Sequence, residues 1–291
     1  MSARSRARQM ALVLLITAVT LIGACGEKPP KPDSRTNAAR VEPTVRAQTP
    51  AEDVLPDAPQ SPVALVPTTT PGLLHTRRTV AEAGVLADIF VADLTRLRLI
   101  GIDARTHGRL VAPVEVLRAE ADAHVAINGT FFDDKDRPLG LLVSGGVTRS
   151  PLRTADWGVL TVDDKGTAAL VHTRDFRASD TIDFAVQCGP RVVIDGTPPS
   201  LKLQVARRTG VCIQGPQQVA LFVVDAPVEA NTLAAWLARP ESAGGLGCRD
   251  AVLLDGGPSS QLDAREGTRH PGIRGGWGVP NAVGVVTRDN G

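Results

Sequence analysis

An acid followed by two glycines and two hydroxyls, Asp255-Gly256-Gly257-Pro258-Ser259-Ser260, is the stretch of this chain best suited to chemistry. The apolar run Ala251-Val252-Leu253-Leu254 before it reads as a buried strand that delivers one carboxylate to a sharp turn. Glycine admits positive φ and lets backbone N–H groups approach a ligand closely, so such a turn suits an anionic or polar substrate. Taken alone, the same residues are equally a tight turn capped by an aspartate.

Four other segments repeat that grammar of a strand followed by a polar residue beside glycine. They are Ile127-Asn128-Gly129-Thr130-Phe131-Phe132-Asp133, Gln187-Cys188-Gly189-Pro190, Arg207-Arg208-Thr209-Gly210 and Pro280-Asn281-Ala282-Val283-Gly284. Singly, each is a turn. Together they set Asn128, Gln187, Arg208, Asp255 and Asn281 at strand ends, which a sheet can gather along one edge.

The elements that must position them are short apolar runs broken by closely spaced turn signals. Val85 to Val91 and Leu97 to Ile102 read as two paired strands around Ala92-Asp93. Further strands are expected at 124–127, 139–143, 158–162, 168–172, 191–194, 205–208, 219–224 and 283–286. Residues 112–121 have helical spacing, and Asn231 reads as the N-cap of a short helix over 232–238, stopped by Pro240. Many strands and few helices predict an α+β fold with a large mixed or antiparallel sheet and a few flanking helices.

The N-G-x-F-F, Q-x-G-P-x-V-V-x-D-G, L-D-G-G-x-S-S and P-N-A-V-G-V elements, in this order, resemble the phosphodiester glycosidase family. The resemblance covers roughly Leu73 to Thr287. It implies hydrolysis of a sugar joined through its anomeric oxygen to a phosphodiester, a carbohydrate phosphodiester being the substrate partner. It also implies catalytic roles for Asp255, Arg208 and Asn128, and substrate contacts from Gln187, Gly189, Gly256, Gly257, Ser259, Asn281 and Asp133.

The chemistry stands on its own footing. The departing phosphomonoester has a second pKa of about 6 and leaves readily near neutral pH, so the usual pair of glycosidase carboxylates is not obligatory. The transition state needs a cation on the phosphate and a negative group near the oxocarbenium-like carbon. Guanidinium binds phosphate bidentately, which fits Arg208. Asp255 then attacks, stabilises charge or activates water, while Asn128 and Asn281 orient sugar hydroxyls or phosphate oxygens. Gly256, Gly257 and Ser259 donate hydrogen bonds to an anion.

Two departures from the family pattern matter. Cys188 and Cys212 stand where the family has small residues, in segments expected to lie together, so a Cys188–Cys212 disulfide with Cys248 free is the expectation. Thr130 replaces a common glycine and is expected to narrow the pocket beside Asn128. No cofactor is required by the motifs; a divalent cation held by Asp133, Asp255 and backbone carbonyls stays open. The five histidines lack zinc-type spacing such as H-E-x-x-H, and neither a G-x-S-x-G elbow nor a phosphate-binding P-loop is present. A glycan-binding, non-catalytic envelope lipoprotein is the alternative from another class.

The chain's beginning speaks to location. Arg4, Arg6 and Arg8 precede an apolar run from Met10 to Leu21, and Ile22-Gly23-Ala24 leads to Cys25. This resembles a bacterial lipobox, with residues 1–24 as signal peptide and Cys25 lipidated. An ordinary signal peptide or an uncleaved anchor reads from the same pattern. Gly26 after the cysteine favours the outer membrane, facing the periplasm. Ten of the 22 prolines fall between Gly26 and Pro71. Such a composition buries too little to fold, so residues 25–72 are expected to be an extended tether before a domain at 73–291. Without the leader's arginines the chain has 29 basic and 31 acidic residues and no basic stripe, which argues against nucleic acid as partner. Tyrosine is absent, leaving Trp157, Trp236 and Trp277 as the main platforms for a sugar ring.

Overall fold

In a computed structural model, which describes residues 66–265 and 272–288, the apolar runs form four sheets. The signal segment, Cys25 and most of the tether lie outside the described residues. A seven-stranded sheet runs Val66–Pro67, Leu73–Val80, Val85–Asp93, Gln218–Glu229, Val205–Gly215, Asp250–Leu253, Arg191–Val193 in spatial order. A five-stranded sheet is built on Gly158–Asp163 and Ile182–Cys188, and a four-stranded one on Val125–Asn128, Asn281–Thr287 and Leu97–Asp103. Phe131–Phe132 and Pro138–Leu139 make a small hairpin of their own. Between the described strands every pairing is antiparallel.

The seven-stranded sheet is buried on both faces. Phe90, Ala92, Leu221 and Val223 turn to one core, while Ile89, Val91, Phe222 and Val224 turn to the other. Two buried faces leave no polar alternation, which is why these strands read as continuous apolar runs. Leu97, Leu99, Ile127, Leu142, Phe184 and Val283 of the smaller sheets fill the first core. Leu233, Trp236 and Leu237 of the helix Ala230–Ala238 fill the second. The helix Val114–Glu120 closes the back of the four-stranded sheet with Val114 and Leu117.

Several expectations need correction. Val85–Asp93 and Leu97–Asp103 do not pair with each other: the first lies between Leu73–Val80 and Gln218–Glu229, the second beside Asn281–Thr287. Val66–Pro67 already pairs with Leu73–Val80, ahead of the expected boundary at residue 73. The N-cap of the second helix is Glu229, whose carboxylate accepts from the Thr232 N–H at 2.9 Å. Asn231 instead spends its amide on Leu201 and Glu229.

The disulfide joins Cys212 to Cys248, with Cα atoms 5.6 Å apart, and Cys188 is a buried free thiol. The sheet's own geometry separates the expected pair. Cys188 faces the core shared by all three larger sheets, whereas Cys212 faces the core under the helix Ala230–Ala238. Burial pushes the Cys188 thiol up to about 12, so it stays protonated and inert at neutral pH.

Candidate active site

The strand Asp250–Leu253 is paired on both sides, with Gly210 opposite Leu253 on one flank and Arg191 opposite Val252 on the other. Past its end the chain stays tethered: the Leu254 N–H donates to Thr209 O at 2.9 Å and the Asp255 N–H to Gly129 O at 3.1 Å. Asp255 thus emerges where the seven-stranded sheet meets the four-stranded one. Gly257 then takes φ +60°, the left-handed conformation that the turn requires and glycine adopts without strain.

Asp255 and Arg208 line one cavity of about 260 Å³, with Phe131, Gly189, Gln204, Gly256 and Gly257 among its walls. That volume lies just under the roughly 300 Å³ at which small-molecule sites begin, the scale of one sugar ring. Asp255 is partly buried, and burial raises its carboxyl above the ordinary aspartate range. The Ser259 hydroxyl and the Gly256 N–H, the latter 3.0 Å from Oδ1, oppose that rise. Ser259 is itself fixed by the Trp277 indole N–H, which donates to its Oγ at 3.0 Å.

Arg208 lies inside the strand Val205–Gly215, not at the strand end expected for it; it is 6% exposed, and its burial works against the charged guanidinium. Both terminal nitrogens of that guanidinium donate to Gln204, Nη1 to the side-chain Oε1 and Nη2 to the backbone carbonyl. Its Nε is buried and has no partner. Each charge of the cavity is held by its own neighbours: Arg208 by Gln204, with the Glu229 carboxylate also acting on it, and Asp255 by Gly256 and Ser259.

The amides sit elsewhere. Asn128 is fully buried; its Nδ2 donates to Asp255 O at 2.7 Å, and its Oδ1 accepts from Thr209 Oγ1 at 2.8 Å and the Gln261 N–H at 3.0 Å. Asn281 is also fully buried and is closed on Thr130, accepting its N–H and donating to its Oγ1, both at 2.9 Å. A Cβ on Gly129 would come within 1.9 Å of Asn281 Oδ1, so only glycine fits there. Gln187 holds Leu141 N, Arg153 N, Arg153 O and Thr173 Oγ1 from a buried position. These three amides brace the strand ends from beneath the cavity. The sequence predicts groups facing the substrate; in the fold their hydrogen bonds are spent inside the protein.

Thr130 likewise points inward, its hydroxyl donating to Phe131 O, and does not narrow the cavity. Asp133 lies apart from Asp255, in a second cavity. Arg137 and the backbone N–H groups of Arg137 and Lys135 hold its carboxyl down at about 2. Asp133 and Asp255 are therefore not brought together as cation ligands, and no group of three His, Cys, Asp or Glu suited to a metal occurs among the described residues. Trp236 is core and cannot stack on a sugar. Trp157 packs on Phe131 with ring centroids 5.1 Å apart and lies behind Gly189, and Trp277 is 53% exposed beside Ser259.

Sequence reasoning missed Gln204, which anchors Arg208, and Gln261, whose side chain ties Ser259 and Trp277 to the Val114 N–H. Neither carries a motif signal, because each acts through backbone groups distant in sequence.

The geometry agrees with what the chain resembles. A family model described as phosphodiester glycosidase matches residues 121–286. No curated protein sequence matches the chain. Among solved structures, the zebrafish N-acetylglucosamine-1-phosphodiester alpha-N-acetylglucosaminidase catalytic domain, auto-inhibited by its pro-peptide, superposes with a TM-score of 0.58 at 16% identity, covering 78% of this chain and 87% of that one. A hypothetical protein from Synechocystis gives a TM-score of 0.58 at 15% identity over 75% of this chain, which spans 62% of that protein. A putative exported protein from Burkholderia pseudomallei gives 0.50 at 14% identity, covering 69% of this chain and 74% of that one. At such identities the structures speak for the fold, and the family match speaks for descent: the chain belongs to the phosphodiester glycosidase family.

Proposed function

We propose that the protein hydrolyses a sugar phosphodiester at the glycosidic bond, with Arg208 on the phosphate and Asp255 at the anomeric carbon. The observation that carries this reading is that an arginine and an aspartate, each held by other neighbours, line one cavity. In the reaction the bond between C1 and the phosphate oxygen breaks, and the phosphomonoester departs with the electron pair. Arg208 carries the charge that develops on it. Asp255 offsets the positive charge at C1 or attacks it; a carboxylate raised by burial is also the better base toward water. Water supplies the oxygen that ends on C1. The buried amides Asn128 and Asn281 serve by holding the Asp255 turn and the Gly129 strand end in register.

The test is turnover of a chromogenic sugar phosphodiester by the purified protein beside Arg208→Ala. Hydrolysis by the wild type and a hundred- to thousand-fold loss in the variant are expected. Measurable glycan binding without turnover across a substrate panel would move the reading to a non-catalytic glycan-binding lipoprotein.

The proposed setting is the bacterial cell envelope, with Cys25 lipidated and the domain facing the periplasm from the outer membrane. The Cys212–Cys248 disulfide supports an oxidising compartment. Labelled palmitate incorporation that survives Cys25→Ala would refute the anchor.

A further inference from the structure

The second cavity, of about 380 Å³, is strongly basic, and nothing in the proposed reaction uses it. Arg105, Arg137, Arg149 and Arg153 line it beside Asp133. Two of the four are spoken for: Arg137 pairs with Asp133 at 2.6 Å and Arg105 with Asp103 at 2.8 Å. Arg149 and Arg153 are exposed, and no carboxylate among the described residues pairs with either. The pocket thus keeps two uncompensated guanidinium groups.

It is built on the segments that wall the catalytic cavity. Phe131 lines the catalytic cavity, and Leu139, its register partner in the small hairpin, lines the basic one. Gln187 clamps the Arg153 backbone through both N–H and carbonyl, at 2.9 and 2.7 Å. Two residues on, Gly189 forms part of the catalytic wall. Gln187 therefore fixes one arginine of the basic pocket and one wall of the catalytic cavity from a single buried position.

We propose that this pocket is a phosphate subsite, formed by Arg149 and Arg153, for a second phosphate group of the same substrate molecule. The substrate class is then a glycan carrying successive phosphodiester links, one seated at Arg208 and its neighbour at Arg149 and Arg153. Guanidinium groups favour phosphate because its oxygens accept paired N–H bonds. This assignment rests on the proposed hydrolysis only for which phosphate lies at Arg208; the anion subsite itself is measured separately.

The experiment compares the protein with Arg149→Glu/Arg153→Glu, using two probes. One is an aryl sugar phosphodiester with a single phosphate; the other is a linear sugar oligomer joined by several phosphodiester links. Binding is measured by calorimetry in an Asp255→Asn background, where the oligomer stays intact, and turnover in the wild-type background. The expected result is that the oligomer binds about tenfold more tightly than the single-phosphate probe, that charge reversal removes this gain, and that single-phosphate turnover is unchanged. The gain is also expected to shrink as salt rises. Arg149→Lys/Arg153→Lys, which keeps the charge, is expected to restore part of it. Equal oligomer binding by wild type and charge-reversed protein overturns the subsite. Equal losses on both probes also overturn it, because the pocket would then belong to the catalytic cavity or to the fold. If the oligomer binds through these arginines but neither probe is hydrolysed, the catalytic reading fails and the subsite stands; binding of neither probe rejects the subsite.

Discussion

Asp255 and Arg208 at the cavity wall and Asn128, Gln187 and Asn281 just beneath it come from the same motif set, yet they are treated oppositely by the fold. The charged pair lines the cavity: Arg208 and Asp255 both form its wall, and burial raises the Asp255 carboxyl. The amides are saturated, with Asn128 alone joining the Asp255, Thr209 and Gln261 segments. Motif membership therefore mixes two jobs. In the proposed reaction the wall residues carry the chemistry, and the layer below fixes where the wall stands.

The sharpest way to break this division is Asp255→Asn. Turnover should fall about a thousandfold, some 4 kcal/mol of transition-state stabilisation, while thermal stability holds or rises because a partly buried charge is removed. Turnover that survives would erase the distinction. Next comes the Cys212–Cys248 link, which closes a loop of sequence separation 36 and ties the Arg208 strand to the approach of the Asp255 strand. Its loss should cost about 4 kcal/mol of stability in denaturant titration, with kcat per folded molecule unchanged. Asn128→Ala should cost about 3 kcal/mol, since it orphans buried donors and acceptors, and part of its activity loss should return at lower temperature. If Asn128→Ala instead abolishes activity at full stability, the amide belongs to the wall.

The smallest effect is in pH. A raised carboxyl pKa means that the folded protein holds this proton more tightly than the unfolded chain does. Its stabilising contribution is present below the unfolded pKa of about 3.9 and is lost as pH rises through the folded value. The melting-temperature advantage of Asp255→Asn should accordingly shrink as pH falls toward 4. The acid limb of wild-type kcat should also lie above the ordinary aspartate range. A gap that widens on acidification would contradict the burial argument.

Arg208 lies inside Val205–Gly215 and not at the strand end expected for it, whereas Asp255, which follows Asp250–Leu253, was legible as a charge delivered by a strand end. The amides were not, since an Asn that faces a ligand and an Asn that staples three strands have the same local sequence. The fold was legible as strands and class, because a sheet buried on both faces writes continuous apolar runs. Its pairing was not: Val85–Asp93 and Leu97–Asp103 are neighbours in sequence but part into different sheets. The disulfide failed for the same reason. Which face of a strand Cys212 occupies depends on register with Asp250–Leu253, and register is set by partners far along the chain.

The borders of the seven-stranded sheet have a consequence for solubility. One border is Val66–Pro67, two residues long and ending in a proline that offers no N–H; the other is Arg191–Val193, only three residues long. A wide antiparallel sheet with apolar faces would otherwise recruit further chains along its margins. Val66 and Pro67 pair only with His75 and Leu74, so they blunt one end of this margin against another copy, and no described strand covers residues 76–80 on that side. Their removal should show first as aggregation and only later as lost activity.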